Sequence, residues 1–254
     1  MSRLVRRSVC LLAVIAALVA PGTAAANHSW GGYHWARQAN PFTLKLGDNL
    51  GSVWDPILAT TSSDWSRSTV LDTTIVAGGT KPRSCRATQG RVEVCDASYG
   101  NNGWLGVASI SISGGSHITA GSVKVNDYYF SLPTYNTTAW RNLVMCQEVG
   151  HTLGLDHQDE NFNNANLGTC MDYTNDPSTN QHPNQHDYDE LQIIYAHLDS
   201  TTTIGQTAVS AAAPGAASSA WGRLVATSRG GSSSTFVREI GRGQAVVTFV
   251  VWAR

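Results

Sequence analysis

The stretch Gln147-Glu148-Val149-Gly150-His151-Thr152-Leu153-Gly154-Leu155-Asp156-His157 decides how the rest of the chain is read. Side chains four residues apart lie on one helical face, so Gln147 and His151 project together, about one turn apart. Glu148 follows Gln147 and is rotated toward the side where a metal-bound water would lie. Glycine enters the left-handed conformation without a Cβ penalty, so Gly154 ends the helix and reverses the chain. His157 then swings back toward His151. Two helical ligands and one from the turn leave a fourth tetrahedral position for water, the catalytic arrangement for zinc. Zinc lowers the pKa of such a water toward about 7, and Glu148 is placed to take its proton.

The pattern H-E-x-x-H-x-x-G-x-x-H, followed by a methionine turn, marks the metzincin metalloproteases. The chain resembles that family at Glu148, His151, Gly154 and His157, with Gln147 standing where the first histidine would be. Downstream, Cys170-Met171-Asp172-Tyr173 resembles the methionine turn, and the resemblance spans residues 41–198. It implies an α+β fold: a twisted mixed sheet with an active-site helix and a C-terminal helix. It implies Gln147, His151 and His157 as ligands of one catalytic Zn2+, Glu148 as general base and Met171 as the floor beneath the metal. Tyr173 matches the extra ligand of the astacin-like and serralysin-like branches, and would also steady the oxyanion. Protein or peptide substrates are implied. Glutamine is neutral and reaches about as far as histidine, but amide oxygen is a poorer donor to zinc than imidazole nitrogen. Weakened metal binding on a preserved geometry is therefore expected. The leading reading is a secreted zinc endopeptidase. The alternative is a metzincin-fold protein that has lost peptidase activity and binds peptides or proteins, with a different hydrolysis at the same metal as a third option.

Residues 1–26 read as a secretory signal. Arg3, Arg6 and Arg7 form its basic end, residues 9–20 its apolar core, and Ala24-Ala25-Ala26 a cleavage site. The apolar run is too short for a transmembrane anchor. Removing those three arginines from the 17 Lys and Arg leaves 14 against 18 Asp and Glu, a net charge of about −4. That balance suits a soluble extracellular monomer, with no sign of nucleic-acid binding and no membrane contact once the signal is gone. Cys85, Cys95, Cys146 and Cys170 remain, and an even number in an exported chain argues for disulfides. Of three possible connectivities, Cys85–Cys95 and Cys146–Cys170 are favoured. The second would clamp the active helix to the methionine turn.

The chain divides into the signal at 1–26, a catalytic domain at 27–198, a linker at 199–220 and a small β-rich appendage at 221–254. Residues 42–46, 70–76, 91–95 and 123–126 read as strands, and Asp55-Pro56 as the cap and first position of a helix. Residues 104–113 form another strand. Within it, Trp104, Leu105, Gly106, Val107 and Ala108 are assigned, from the family, as the sheet edge on which substrate pairs. Thr137 caps the active helix. A C-terminal helix opens at His186 or Asp187 with Leu191, Ile194, Tyr195 and Leu198 on its apolar face. The oxygen-rich loop 158–166 could hold Ca2+, although its spacing is not that of a calcium loop and a solvated loop is the plainer reading. His28 and His34 read as surface histidines and His117 as a loop histidine. His182 and His186 read as helix-capping residues, with metal ligation as the alternative.

Overall fold

The computed structural model describes residues 28–206, 220–228 and 230–253. The expected signal at 1–26 and most of the expected linker lie outside these. The strands are β1 (His34–Trp35), β2 (Phe42–Asn49), β3 (Leu71–Ala77), β4 (Thr88–Gln89), β5 (Val92–Ala97), β6 (Trp104–Ser113), β7 (His117–Asn126), β8 (Arg223–Thr227), β9 (Ser233–Gly241) and β10 (Gln244–Trp252). The helices are α1 (Asp55–Trp65), α2 (Asp127–Phe130), α3 (Thr138–Thr152) and α4 (Gln185–Ile194). No helix among the described residues is long and apolar enough to cross a membrane.

One mixed sheet organises these elements, in the order β3-β2-β5-β7-β6-β10-β9-β8. The N-terminal half is parallel and the C-terminal half antiparallel. Short β1 and β4 add to β7. Alternation predicts a half-solvated strand, and β2 obeys it at its start: Phe42, Leu44 and Leu46 are buried, Thr43 and Lys45 exposed. β6 and β10 instead read as nearly continuous buried runs because both faces are covered. One face packs Ala245, Val247 and Phe249 into the main core beneath α3. The other packs Val250 with Trp104, Val107 and Trp221.

The expected C-terminal appendage is thus part of the main sheet. β10 pairs with β6 over its whole length, from Gln244 opposite Ser113 to Trp252 opposite Trp104. The strand assigned as a substrate edge is therefore paired in this structure. Gly106, Val107 and Ala108 lie between β7 and β10, and Trp104 pairs with Trp252 of β10, with Leu105 at a register shift between them. Three smaller differences are local. α1 is capped at Trp54 with no side-chain bond, and Asp55 is already helical beside its proline. His117 opens β7 and is not in a loop. Leu198 lies beyond α4 and is exposed, while Leu191, Ile194 and Tyr195 are buried.

Both expected disulfides are present, Cys85–Cys95 and Cys146–Cys170, each with Cα atoms 5.9 Å apart. The second joins α3 to the segment before Met171, 24 residues downstream.

Candidate active site

α3 is set by its cap and its glycines. Thr137 is extended, and its hydroxyl accepts the Trp140 N–H at 3.2 Å. Helical spacing brings Gln147, Glu148 and His151 to one side, all fully or nearly fully buried. Gly154 then takes φ +100°, and a Cβ there would lie 2.2 Å from the Tyr33 carbonyl oxygen. No other residue fits both the turn and that close approach. The N-terminal segment straps the turn from outside: Trp30 N–H donates to Gly154 O at 2.7 Å and Asp156 N–H to His28 O at 2.6 Å.

The turn returns His157 to His151, with ring centroids 4.7 Å apart. His151 Nδ1 bonds Leu155 O at 2.8 Å, which leaves Nε2 buried with no partner among the described residues. Both nitrogens of His157 are buried without a hydrogen-bond partner among the described residues, although Nδ1 lies 3.5 Å from Asp156 Oδ1. Burial, and next the neighbouring His157, push the His151 pKa down to about 3, so its imidazole is neutral with a free lone pair. Buried polar atoms left without partners cost free energy unless something else satisfies them. A divalent metal would do so, and a donor set of two imidazoles fits one.

Glu148 is fully buried beside β6. Its carboxylate packs where Gly106 has no side chain, since a Cβ on Gly106 would sit 2.4 Å from Oε1. Neither oxygen has a partner of full hydrogen-bond geometry among the described residues. Burial pushes this carboxyl well above the usual carboxylate range, and the Ala108 backbone N–H pulls weakly the other way. Gln147 gives its amide N–H to Cys170 O at 2.8 Å, which ties it to the methionine turn. It also lines an apolar cavity of about 250 Å³ with Leu105, Trp140, Leu143 and Tyr173.

Met171 lies under α3 at Gly150, where a Cβ would be 2.7 Å from its sulfur and 2.8 Å from Trp65 Cζ2. The Cys146–Cys170 bridge, the Met171 N–H bond to Thr169 Oγ1 and the Thr169 hydroxyl bond to Asp187 fix that turn to the start of α4. Tyr173 is buried with its ring 4.1 Å from that of His157. Burial raises its phenol well above its ordinary value, so it stays a proton-bearing donor.

Three residues with no sequence signal complete the site. Phe249 of β10 lies with its ring 3.9 Å from His151 and 4.6 Å from His157. Trp30 lies 5.6 Å from His151. Gly106 makes the space for Glu148. Their roles depend on which strand reaches β6, and no local pattern announces that. The other histidines lie apart from these imidazoles. His182 pairs with Asp64 at 2.6 Å, and His186 stacks on His28 at 5.0 Å. The loop 158–166 satisfies itself through side-chain turns at Asp159 and Asn161. Its neighbourhood does hold one group that could bind a cation, Asp156, His157 and Glu160.

Neither a family model nor a curated relative matches the chain. Among solved structures, myroilysin is similar at 13% identity, covering 64% of this chain and 86% of that one, with a TM-score of 0.34. At that level the likeness assigns neither family nor activity.

Proposed function

We propose that the chain is a secreted zinc-dependent endopeptidase of the metzincin type, made in a closed, latent form. The observation that carries this reading is the meeting of His151 and His157, ring centroids 4.7 Å apart, with His151 Nε2, both His157 nitrogens and both Glu148 oxygens buried without a hydrogen-bond partner among the described residues. His151 Nε2, a nitrogen of His157 and Gln147 Oε1 would hold the ion. Zinc bound there supplies Lewis acidity, polarising the scissile carbonyl and making a water nucleophilic near neutral pH. Glu148 accepts the proton of the attacking water and delivers it to the departing amine. Its raised affinity for protons suits that exchange. Tyr173 keeps its proton and donates a hydrogen bond to the oxyanion. The cavity lined by Leu143, Trp140 and Tyr173 takes an apolar side chain next to the scissile bond.

Latency follows from β10. It occupies the edge of β6, and Phe249 covers both imidazoles. When the β9–β10 hairpin leaves, β6 offers its edge to an extended peptide by β-augmentation, and the ligands meet solvent. A second reading has its own observation. Gln147 commits its amide to Cys170 O, and a glutamine that serves only this structural bond would leave a two-ligand site without catalysis. The protein would then be a peptide-binding scaffold of the same fold.

Peptide cleavage and zinc content of purified wild type, Glu148→Ala and Gln147→His separate the two. Zinc-dependent cleavage by wild type that Glu148→Ala loses supports the peptidase. Activity that appears only in Gln147→His identifies the scaffold.

A further inference from the structure

We propose that His34, His197 and Asp199, with His117 as fourth ligand, form a second metal site, a structural zinc site remote from Glu148. The donor atoms of the first three lie within 4.8 Å of one another. His34 Nε2 is 3.2 Å from His197 Nε2, and Asp199 Oδ1 is 3.6 Å from the former and 3.7 Å from the latter. His117 Nε2 approaches the same Oδ1 at 3.2 Å. Ligands bound tetrahedrally to zinc at about 2.0–2.1 Å stand roughly 3.3–3.5 Å apart. The four separations above, 3.2–3.7 Å, lie close to that spacing.

On His34 and Asp199 the atoms that do not face the centre are occupied. His34 Nδ1 bonds Gly32 O at 2.9 Å, which turns Nε2 inward. Asp199 Oδ2 accepts from the Arg37 backbone N–H at 3.1 Å and from Nη1 at 2.8 Å, which leaves Oδ1 inward. A ligating histidine whose other nitrogen is held by a backbone carbonyl is the ordinary arrangement around a protein-bound metal. His34 and Asp199 form a buried floor, with side chains 8% and 9% exposed. His117 and His197, at 34% and 54%, form the rim through which an ion enters. Three imidazoles and one carboxylate favour zinc over the harder cations, and four protein ligands would leave no open position for chemistry.

The ligands come from three distant parts of the chain: β1, the start of β7 and the segment after α4. Metal binding at such a site is folding free energy. It would pin the N-terminal strap that carries Trp30 and Tyr33 onto the Gly154 turn.

The test is metal analysis of the full chain after zinc loading and desalting. His197→Ala removes a rim ligand without opening the core. We expect it to hold one zinc fewer than wild type: one against two if α3 also binds zinc, none against one if it does not. Either pair supports the proposal, and the second pair counts separately against the peptidase reading. His117→Ala should weaken zinc binding at this site at least about tenfold, and it keeps the test alive if the first variant does not fold. Equal zinc content in wild type and His197→Ala would mean that the imidazoles are merely hydrogen-bonded to each other, and would overturn the site.

Discussion

The molecule holds two histidine clusters, and they are built in opposite ways. Around α3, His151 and His157 are sealed among Trp30, Phe249 and Tyr173, with His151 Nε2 and both His157 nitrogens lacking a hydrogen-bond partner among the described residues and the buried Glu148 carboxyl on the same helix. At the meeting point of β1 and β7, His34 and Asp199 have their outward atoms bonded, and His117 and His197 remain at the surface. Desolvated groups without partners are expensive, and reactive sites retain that expense. A cluster whose outer atoms are satisfied is suited to holding an ion still. The contrast matches the two proposals, chemistry at the first cluster and stapling at the second.

The largest effect should come from separating those roles. Glu148→Gln should lower the turnover of cleaved peptide by about 10²–10⁴-fold, the range for loss of a general base, with zinc content unchanged. His197→Ala should lose zinc with little change in turnover. Steady-state kinetics and metal analysis on the same preparations would show it. Turnover lost equally in both variants would break the division.

Next is Phe249→Ala. Removing a buried phenylalanine costs about 3–5 kcal/mol of packing, and here most of that loss falls on the seat of β10 against the imidazoles. The hairpin should leave β6 more often. Peptide cleavage should rise by on the order of tenfold or more while thermal stability falls. Lower stability with no rise in activity would leave β10 as ordinary core and remove the latency argument. Zinc at the His34 cluster should be unaffected.

The sequence was most legible where chemistry depends on local spacing. Gln147, Glu148 and His151 share a face because helices turn at 3.6 residues, and Gly154 reverses the chain because its φ is positive. β6 was legible to the residue as a strand. Its neighbours were not: alternation and branching mark a strand but carry no information about which strand lies beside it. For that reason Trp104, Leu105, Gly106, Val107 and Ala108 were placed at an edge only through the family resemblance, and nothing in the sequence set Phe249 beside the imidazoles. The second cluster was illegible for a similar reason. His34, His117 and His197 are each solitary in sequence, and only the parallel pairing of β1 with β7, opposing His34 to His117, brings the first two together.

Protonation should distinguish the α3 cluster in metal-free protein. His151 has a folded pKa near 3 against an ordinary 6.5, so the unfolded chain binds its proton first and stability falls as pH drops from about 6.5 toward 3. Glu148 has its folded pKa raised, so its contribution is present below the ordinary 4.5 and is lost as pH rises toward the folded value. The two slopes, each about 1.4 kcal/mol per pH unit, oppose each other between the two ordinary values. Urea unfolding in chelator should therefore show a flatter pH dependence just above pH 4.5 than below it, with an alkaline loss from Glu148 as pH rises through its folded value. Glu148→Gln should remove the alkaline loss and keep the acid one. A metal-free wild type that gains stability steadily from pH 5 to 8 would contradict the burial assigned to this carboxyl.

The smallest effect concerns how closely the methionine turn supports α3. Alanine is favoured over glycine inside a helix by about 0.8–1.0 kcal/mol, so Gly150→Ala in an open helix would stabilise. Here the added Cβ would meet Met171 Sδ at 2.7 Å and Trp65 Cζ2 at 2.8 Å. Overpacking of this kind costs about 1–3 kcal/mol, partly relieved because the thioether is flexible and can swing aside. Trp65 cannot, since its Nε1–H is bonded to Cys146 O at 3.1 Å. The two terms nearly cancel, and a net destabilisation of about 0–2 kcal/mol is expected, readable as a small fall in the urea midpoint. Any displacement of α3 from its floor shifts His151 and Glu148 and not His34 or Asp199. Zinc affinity and peptide turnover at the α3 cluster should therefore fall while the other cluster keeps its ion. A variant more stable than wild type with both clusters unchanged would show that Met171 is not a tight floor, and the contrast in rigidity between the two sites would lose its structural basis.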